Sequence, residues 1–257
     1  MSPDDAALRE QYRTADKLRA RMALHQDFSL NPEDFHRWLF ERLEAPAGAR
    51  VLELGCGDGS LWRKNAERVP PGWRVTLVDR SRGMLEAARE VLERFPAEVT
   101  FHRADAQDLP LQDASFDLVM ANHMLYHVPD VARALAEVRR VLAPGGRFYA
   151  ATNGVTHMQE LHDVVAEQLP GGSEPPSVEG FSLENGGAQL RRVFRSVELH
   201  TYPDALEVGA VEPLLVYILS LGRAAPGAKE GLRAALERRL AQGPMRITKA
   251  TGLFVAS

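Results

Sequence analysis

Nine residues, 51–59 (V-L-E-L-G-C-G-D-G), constrain the fold of this chain more than any other stretch. Residues 51–54 have the composition of a short buried strand, and glycine at every second position then predicts a turn before a helix that begins near Ser60. Because glycine has no Cβ, such a turn can adopt positive φ and come close to a ligand. A strand, a glycine turn and a helix in this order predict a ligand site at the carboxyl edge of a parallel sheet.

A second strand, from Trp73 to Val78, follows this helix and is closed by Asp79. A carboxylate at the end of the second strand of such a fold can accept hydrogen bonds from both hydroxyls of a ribose. The two strands together therefore predict a cofactor that contains a nucleoside.

The spacing of the glycines narrows the kind of cofactor. A dinucleotide site requires G-x-G-x-x-G to hold a pyrophosphate, whereas this chain has G-x-G-x-G. Glu53 and Asp58 would repel a phosphate at this place. Two carboxylates suit instead a cofactor that carries an amino group or a sulfonium.

On these residues the chain resembles the class I S-adenosylmethionine-dependent methyltransferases, and among them the small-molecule branch often called methyltransferase type 11. The resemblance is strongest over residues 48–152. It implies an α/β fold with a Rossmann-like, doubly wound, seven-stranded sheet whose last strand is antiparallel, plus an N-terminal helical lid and an insertion after strand 5. A single methyltransferase domain would then cover 1–257, with a lid (1–46), a cofactor-binding core (47–152), an acceptor-side cap (153–186) and the C-terminal part of the sheet (187–257).

The resemblance also implies roles for individual residues. Glu53 and two glycines would hold the methionine end of S-adenosylmethionine, and Asp105 with the Ala106 backbone would bind its adenine. Arg80 departs from the apolar side chain that members often place against the adenine face, although a guanidinium can also stack on a ring. The implied cofactor-binding residues are Glu53, Gly55, Cys56, Gly57, Asp79, Arg80, Met84, Asp105, Ala106 and Asn122. The product would be S-adenosylhomocysteine.

A fourth predicted strand, 116–121, is followed by N-H-M-L-Y-H-V-P-D at 122–130. This loop replaces the N/D-P-P-Y/F signature with which nucleic-acid methyltransferases clamp a base. His127 and His123 are the candidate general bases, and the alternative for His127 is that it braces the next helix. The candidate acceptor-binding residues are Tyr12, Met124, Tyr126, His157 and Phe181. The histidine and cysteine spacing predicts no metal.

Periodicity predicts the remaining elements. Amphipathic helices are expected at 4–26 and after Asn31-Pro32, and a helix capped by Ser81 is expected after the second strand. Further helices are predicted at 131–142, 157–168, 188–194, 211–221 and 228–241, and further strands at 99–102, 148–152, 196–202 and 247–256. The last two strands are expected to form an antiparallel hairpin.

Composition limits the possible partners. The formal charge of −4 gives no overall basic surface for a nucleic acid, and no apolar run reaches the ~20 residues that span a bilayer. The only cysteine, Cys56, allows no intrachain disulfide, and the first residues lack the features of a signal peptide. We therefore expect a cytoplasmic enzyme that acts on a small-molecule acceptor, with no nucleic-acid or membrane partner; the sequence leaves the oligomeric state open.

Three alternatives stay open at this point. A nicotinamide-dependent dehydrogenase would share Asp79 and the strand–glycine–helix order, but the glycine spacing opposes it. A nucleic-acid or protein methyltransferase would share the cofactor half of the chain. A third possibility is a member that binds the cofactor without turnover. The identity of the acceptor, and whether its O, N or C atom is methylated, do not follow from the sequence.

Overall fold

The structure of the chain is a computed structural model that describes residues 16–168, 180–221 and 227–257. Packing separates the chain into two compact units. The larger unit contains the described parts of residues 35–154, 178–202 and 251–257. The smaller unit contains the described parts of residues 1–34, 155–177 and 203–250.

Nine α-helices and seven strands occur among the described residues. The helices are α1 (Asp16–Phe28), α2 (Phe35–Phe40), α3 (Ser60–Lys64), α4 (Arg82–Val91), α5 (Val131–Val141), α6 (Gln159–Ala166), α7 (Gly186–Leu190), α8 (Val211–Ser220) and α9 (Lys229–Leu240). The strands are β1 (Arg50–Leu54), β2 (Arg74–Asp79), β3 (Glu98–Arg103), β4 (Phe116–Asn122), β5 (Leu142–Asn153), β6 (Val197–Val208) and β7 (Met245–Ala256). Short 3-10 turns lie at Ala66–Arg68 and Leu125–His127.

The strands form one seven-stranded sheet in the order β3-β2-β1-β4-β5-β7-β6. The pairs from β3 through β5 are parallel, and β7 runs antiparallel to β5. This confirms the predicted Rossmann-like sheet with an antiparallel last strand. Since β1 and β4 are neighbours at the point where the strand order reverses, their carboxyl ends open onto the crevice in which such sheets bind ligands.

Both faces of the sheet in the larger unit are buried. Along β1, Val51 faces one apolar cluster, while Leu52 and Leu54 face the other. The first cluster contains Trp38, Trp62 and other large side chains, and the second is covered by α5. Parallel strands that are buried on both sides read as nearly continuous apolar runs, which is why β1, β2 and β4 are evident in the sequence. Glu53 lies on the Val51 face and is the polar exception.

Several predicted boundaries differ from the structure, and two of them have a clear physical reason. The strand predicted to end at Tyr202 continues through Pro203 to Val208. Proline is tolerated there because β6 is the edge strand, so the missing N–H removes no essential ladder bond. The helix predicted to begin at Pro32 begins at Phe35, because the Asn31 Oδ1 atom accepts from the Glu33 N–H at 2.9 Å and forms a turn first.

The other elements lie close to their predicted positions. The first predicted helix is observed from Asp16, and its earlier residues lie outside the described part of the chain. The Ser81 cap is confirmed, since its Oγ accepts from the Met84 N–H at 3.2 Å. The strand expected at 148–152 lies within β5, which begins earlier, at Leu142, and whose pairing with β4 shifts register between Phe116 and Leu118. The helix expected at 188–194 lies at Gly186–Leu190.

The smaller unit has its own apolar core. Helices α1, α6, α8 and α9 contribute to one cluster together with residues of β6 and β7. A buried ion pair joins Lys249 to Asp204, and this carboxylate also accepts from the Ser29 Oγ at 2.8 Å and the Asn31 N–H at 3.1 Å. None of the helices in the described ranges has the length and apolar character needed to cross a bilayer.

Candidate functional site

The glycine loop, residues 55–59, connects β1 to α3. Gly55, Gly57 and Gly59 all have left-handed backbones, with φ of 64°, 55° and 75°. The Cys56 N–H donates to the Val78 carbonyl at 3.1 Å and so ties the loop to β2. A Cβ atom at Gly55 would lie 2.7 Å from the Cβ of Met124. The loop therefore needs glycine both for its backbone angles and for its close packing.

Glu53 lies on β1 immediately before the glycine loop and is 3% exposed. Its Oε2 accepts from the Trp62 indole N–H at 2.6 Å, and its Oε1 accepts from the Asn122 side-chain amide at 2.9 Å. Burial raises the pKa of Glu53 to about 7, the two hydrogen bonds oppose this shift, and the nearby carboxylates of Asp79 and Asp58 add to it. Glu53 can therefore change its charge near neutral pH.

Two further carboxylates border the loop. Asp79 ends β2, and its oxygens accept from the Gly57 N–H at 3.1 Å and the Ser81 N–H at 2.8 Å. Burial raises the pKa of Asp79 from its usual value. Asp58 accepts from both the backbone N–H and the hydroxyl of Ser60, which fixes the first turn of α3. Each Asp79 oxygen keeps acceptor capacity for a ligand hydroxyl.

The loop after β3 lies beside the end of β2. The Ala104 N–H donates to the Asp79 carbonyl at 3.3 Å. One oxygen of Asp105 accepts from the backbone and side chain of Gln107, both at 2.9 Å, and the other lies 3.6 Å from the Arg80 guanidinium. Ala106 is buried. The predicted adenine residues and Arg80 are thus near one another, at the end of the neighbouring strands.

The loop after β4, residues 122–130, begins with two unusual features. The Asn122 Oδ1 atom is buried and, among the described residues, has no hydrogen-bond partner. His123 has a left-handed backbone with φ of 53°, and its N–H donates to the Ala151 carbonyl at 2.9 Å. A residue with a Cβ in this conformation is strained, and such strain concentrates at functional positions. The His123 ring lies 5.1 Å from the ring of Phe35.

The middle of the same loop holds the other candidates. Met124 covers Gly55, and its carbonyl accepts from the His127 N–H at 2.9 Å. Tyr126 is 36% exposed, and its ring lies edge-on to the ring of His127 at 4.5 Å. The loop therefore places two imidazoles and a phenol at the carboxyl end of β4, one strand away from Glu53.

Comparisons with known proteins agree with this geometry. The sequence profile of a family described as "Methyltransferase domain" matches residues 52–150. A malonyl-[acyl-carrier protein] O-methyltransferase of Geobacter sulfurreducens is 35% identical over 205 residues, which cover 77% of this chain and 74% of that relative. The chain belongs to the class I S-adenosylmethionine-dependent methyltransferases.

Two further comparisons show how much of this methyltransferase other proteins match. It is 32% identical over 245 residues to an uncharacterized 37.1 kDa protein in transposon TN4556 of Streptomyces fradiae; the match covers 94% of this chain but only 63% of that relative. Its fold is similar to that of Haemonchus contortus phosphoethanolamine N-methyltransferase 2, solved with phosphomonomethylethanolamine and S-adenosylhomocysteine. That likeness has a TM-score of 0.62 at 20% identity and covers 100% of this chain and 60% of the other.

The residues around the glycine loop of this methyltransferase fit the cofactor of its family. S-adenosylmethionine carries a sulfonium and an amino group, and Glu53 provides a buried negative charge on the strand before the loop. The partnerless Asn122 Oδ1 is an acceptor that a donor such as an ammonium group would satisfy. Gly57 has a left-handed backbone, and its N–H donates to the Asp79 carboxylate.

Not every predicted site residue of the methyltransferase lies in this region. Phe181 is 1% exposed and packs edge-on against Phe254, so its side chain belongs to the apolar core and we exclude it from the acceptor residues. His157 lies in the smaller unit, where its ring stacks on His25 at 5.8 Å. Met84 lies in the first turn of α4 and is buried, and Tyr12 lies outside the described residues.

The sequence analysis missed two residues. Trp62 gave no signal, because its contact with Glu53 depends on how α3 packs on the sheet. Phe35 was not singled out, yet its ring lies 5.1 Å from the ring of His123. An aromatic residue at the first position of a helix after a proline turn is a weak signal that could have drawn attention to Phe35.

Proposed function

We propose that this methyltransferase transfers a methyl group from S-adenosylmethionine to a small-molecule acceptor. The observation that carries the proposal is the arrangement of Glu53 and Asp79 on either side of the left-handed glycine loop. A carboxylate at the end of each of two adjacent parallel strands, one buried and one partly buried, suits a cationic nucleoside and disfavours a pyrophosphate. When bound, S-adenosylmethionine supplies a methyl group that is already activated on a sulfonium.

The roles of the cofactor-binding residues follow from their placement. Glu53, with Gly55 and Gly57, would hold the methionine end, and Asn122 would accept a hydrogen bond there. Asp79 would accept from the ribose hydroxyls, since Gly57 and Ser81 already orient its two oxygens. The adenine would lie near Asp105, Ala106 and Arg80. Because hydrogen bonds within the chain already orient the Asp79 carboxylate, little reorganisation of the site would precede cofactor binding.

The loop 122–130 would supply the acceptor side. Because the methyl group arrives activated, the chain has to position the acceptor, exclude water and, for a hydroxyl, accept a proton. His127 and His123 are the candidate bases, and Met124 and Tyr126 would contact the acceptor. We propose an oxygen acceptor as the first class to test, because the Geobacter sulfurreducens relative is named as an O-methyltransferase.

The kind of oxygen can be distinguished by the need for a base. A carboxylate is already ionised at neutral pH and attacks without losing a proton, whereas a hydroxyl gains from an imidazole within reach. Substitution of the histidines would thus reduce turnover strongly for a hydroxyl acceptor and weakly for a carboxylate acceptor.

Calorimetry tests the choice of cofactor. We expect binding of S-adenosylmethionine and S-adenosylhomocysteine and none of NAD or NADP. The Asp79→Ala variant should bind about 10-fold more weakly or worse, because a hydrogen bond to a charged group contributes about 1.5–3 kcal/mol. Tight NAD binding, or unchanged affinity in a folded Asp79→Ala variant, would contradict the proposal.

Asp117→Ala is the matched control for Asp79→Ala. Asp117 is also a strand carboxylate, but it lies at the amino end of β4, where its oxygens accept from Arg50 at 2.8 and 3.1 Å. Its loss should lower stability and leave cofactor affinity unchanged. Equal weakening in the two variants would mean that Asp79 acts only on stability.

A further inference from the structure

The indole of Trp62 is held rigidly against the site. Trp62 lies in α3, directly after the glycine loop, and is fully buried. The rings of Phe40 and Phe95 meet it at nearly right angles, with centroids 6.3 and 6.0 Å away. This packing leaves the indole N–H one direction, toward the Glu53 Oε2 atom at 2.6 Å.

The Glu53 carboxylate depends on this donor. A buried carboxylate is costly unless hydrogen bonds replace its water. The Trp62 indole donates to one oxygen of Glu53, and the Asn122 amide donates to the other. The carboxylates that face Glu53 oppose its charge: Asp79 from β2 and Asp58 from the glycine loop. The Cys56 thiol of the same loop also faces Glu53, and burial raises its pKa, so it is neutral there. Two neutral N–H groups therefore stabilise the ionised form.

The Trp62 indole donates to a carboxylate that titrates close to neutral pH, so this hydrogen bond affects a charge as well as the packing. Burial raises the pKa of Glu53 to about 7, and the hydrogen bonds from Asn122 and Trp62 restrain the rise. Removing one of them would thus change the ionised fraction at neutral pH, and not only the stability of the fold.

We propose that Trp62 is a positioning residue of the cofactor site, whose indole N–H keeps the Glu53 carboxylate ionised and aimed at the positive charge of the cofactor. The inference rests on the proposed function, in which that cofactor is S-adenosylmethionine. A phenylalanine at position 62 would retain most of the packing and lose the donor. The effect of that change should therefore appear as a change in pH dependence.

The first experiment measures S-adenosylhomocysteine affinity by calorimetry between pH 5.5 and 9. In the unmodified protein, affinity should fall as the pH drops below about 7, by up to ~10-fold per pH unit, because only ionised Glu53 attracts the cationic amino group. In Trp62→Phe this midpoint should move up by about one pH unit, since a hydrogen bond to a charged group is lost. At pH 9 the two affinities should agree within about threefold, the spread expected of such context-dependent effects.

Trp73→Phe is the matched control. Its indole is also buried in the same apolar cluster, but its N–H donates to the Pro46 carbonyl at 3.2 Å and not to a carboxylate. It should lower stability with no shift of the midpoint. In a Glu53→Gln background the pH dependence should disappear, and Trp62→Phe should then have no further effect on it. An equal midpoint in Trp62→Phe and the unmodified protein would overturn the inference.

A second experiment needs neither cofactor nor a folded Trp62 variant. The chain has three tryptophans, so the indole N–H resonances are few in a nitrogen-labelled sample. The resonance of Trp62 should titrate near pH 7 in the unmodified protein and stay constant in Glu53→Gln. Absence of that titration would overturn the inference. Titration without any binding of S-adenosylmethionine would overturn the proposed function instead, and leave the link between Trp62 and Glu53 in place.

Discussion

The glycine loop (55–59) and the loop after β4 (122–130) touch at Gly55 and Met124, yet different forces hold them. In the glycine loop, backbone N–H groups donate to buried carboxylates, and the left-handed angles leave little freedom. In the loop after β4, backbone hydrogen bonds from His123 and His127 fix the main chain, the rings of His123 and His127 contact other rings, and Tyr126 is exposed. The first region therefore offers mainly backbone to a ligand, and the second offers side chains that can change rotamer.

This difference corresponds to the two tasks of the proposed reaction. A cofactor that a whole family shares has one shape, so a fixed backbone can bind it. An acceptor that differs between relatives is better met by side chains, which can be exchanged without disturbing the sheet. Substitutions in the first region should therefore affect binding and folding together, and substitutions in the second should affect turnover more than cofactor binding.

The largest effect is expected from His127→Ala. If His127 accepts the proton of a hydroxyl acceptor, single-turnover methyl transfer should slow by about 10² to 10⁴, while cofactor affinity stays nearly unchanged. The paired measurement is calorimetry for the cofactor and a rapid-quench assay for transfer. Comparable loss in both would show that His127 braces the cofactor loop, which would remove the contrast between the two regions.

His123→Ala is the companion variant. His123→Ala should also change stability, because it removes the imidazole ring but keeps a Cβ in a left-handed backbone. His123→Gly removes both, so the difference in stability between the two variants measures the backbone strain. If transfer falls in His123→Ala and not in His127→Ala, the base is His123. Loss in neither favours a carboxylate or another acceptor that needs no base.

A smaller effect is expected from Gly55→Ala, which tests the rigidity of the glycine loop. The new Cβ would meet Met124 at 2.7 Å in a left-handed backbone, and the two costs together amount to about 2–5 kcal/mol of stability. Gly145→Ala is the control, because its φ of 76° is equally unfavourable but no heavy atom lies within 4 Å of the added Cβ. It should lose only about 1–2 kcal/mol.

Denaturant unfolding measures both variants, and Gly55→Ala combined with Met124→Gly, compared with Met124→Gly alone, separates the clash with the Met124 Cβ from the backbone strain. The double variant should recover the part that exceeds the Gly145→Ala loss. If Gly55→Ala costs no more than Gly145→Ala, Met124 moves aside freely, and the two loops are not coupled at this contact.

The smallest effect concerns Glu53→Gln and has the opposite sign. The folded pKa of Glu53, about 7, lies above its ordinary value of 4.5, so the folded state holds the proton in this window and becomes less stable as the pH rises through it. Glutamine does not titrate, so the variant should gain about 2–3 kcal/mol relative to the unmodified protein between pH 4.5 and pH 8. Denaturant unfolding of both proteins at the two pH values measures this gain. A difference in unfolding free energy that does not grow with pH would contradict the prediction.

The sequence predicts the elements whose causes are local. The strand and glycine turn at 51–59 and the Ser81 cap depend on residues that are adjacent in the chain, and both lie where they were expected. The continuation of β6 through Pro203 could not be predicted, because only the strand order shows that β6 is an edge. Tertiary position thus overrides a local strand-breaking signal there.

The same distinction between local and tertiary causes applies to the candidate site. Asp79 and Asp105 follow from their places at strand ends, although their contacts with a ligand remain predictions. The left-handed backbone of His123 and the burial of Phe181 depend on packing by residues that are distant in sequence. The hydrogen bond from Trp62 to Glu53 likewise depends on the orientation of α3, and no spacing rule predicts it.

The position of β7 has a consequence for the order in which the molecule can be assembled during synthesis. Although β7 is the last strand in sequence, it lies inside the sheet between β5 and β6. While a ribosome is still making residues before Met245, β5 has an open edge and β6 has no neighbour in the sheet. Such edges are where wrong partners add, so the chain is most open to wrong strand pairing in the interval before β7 emerges.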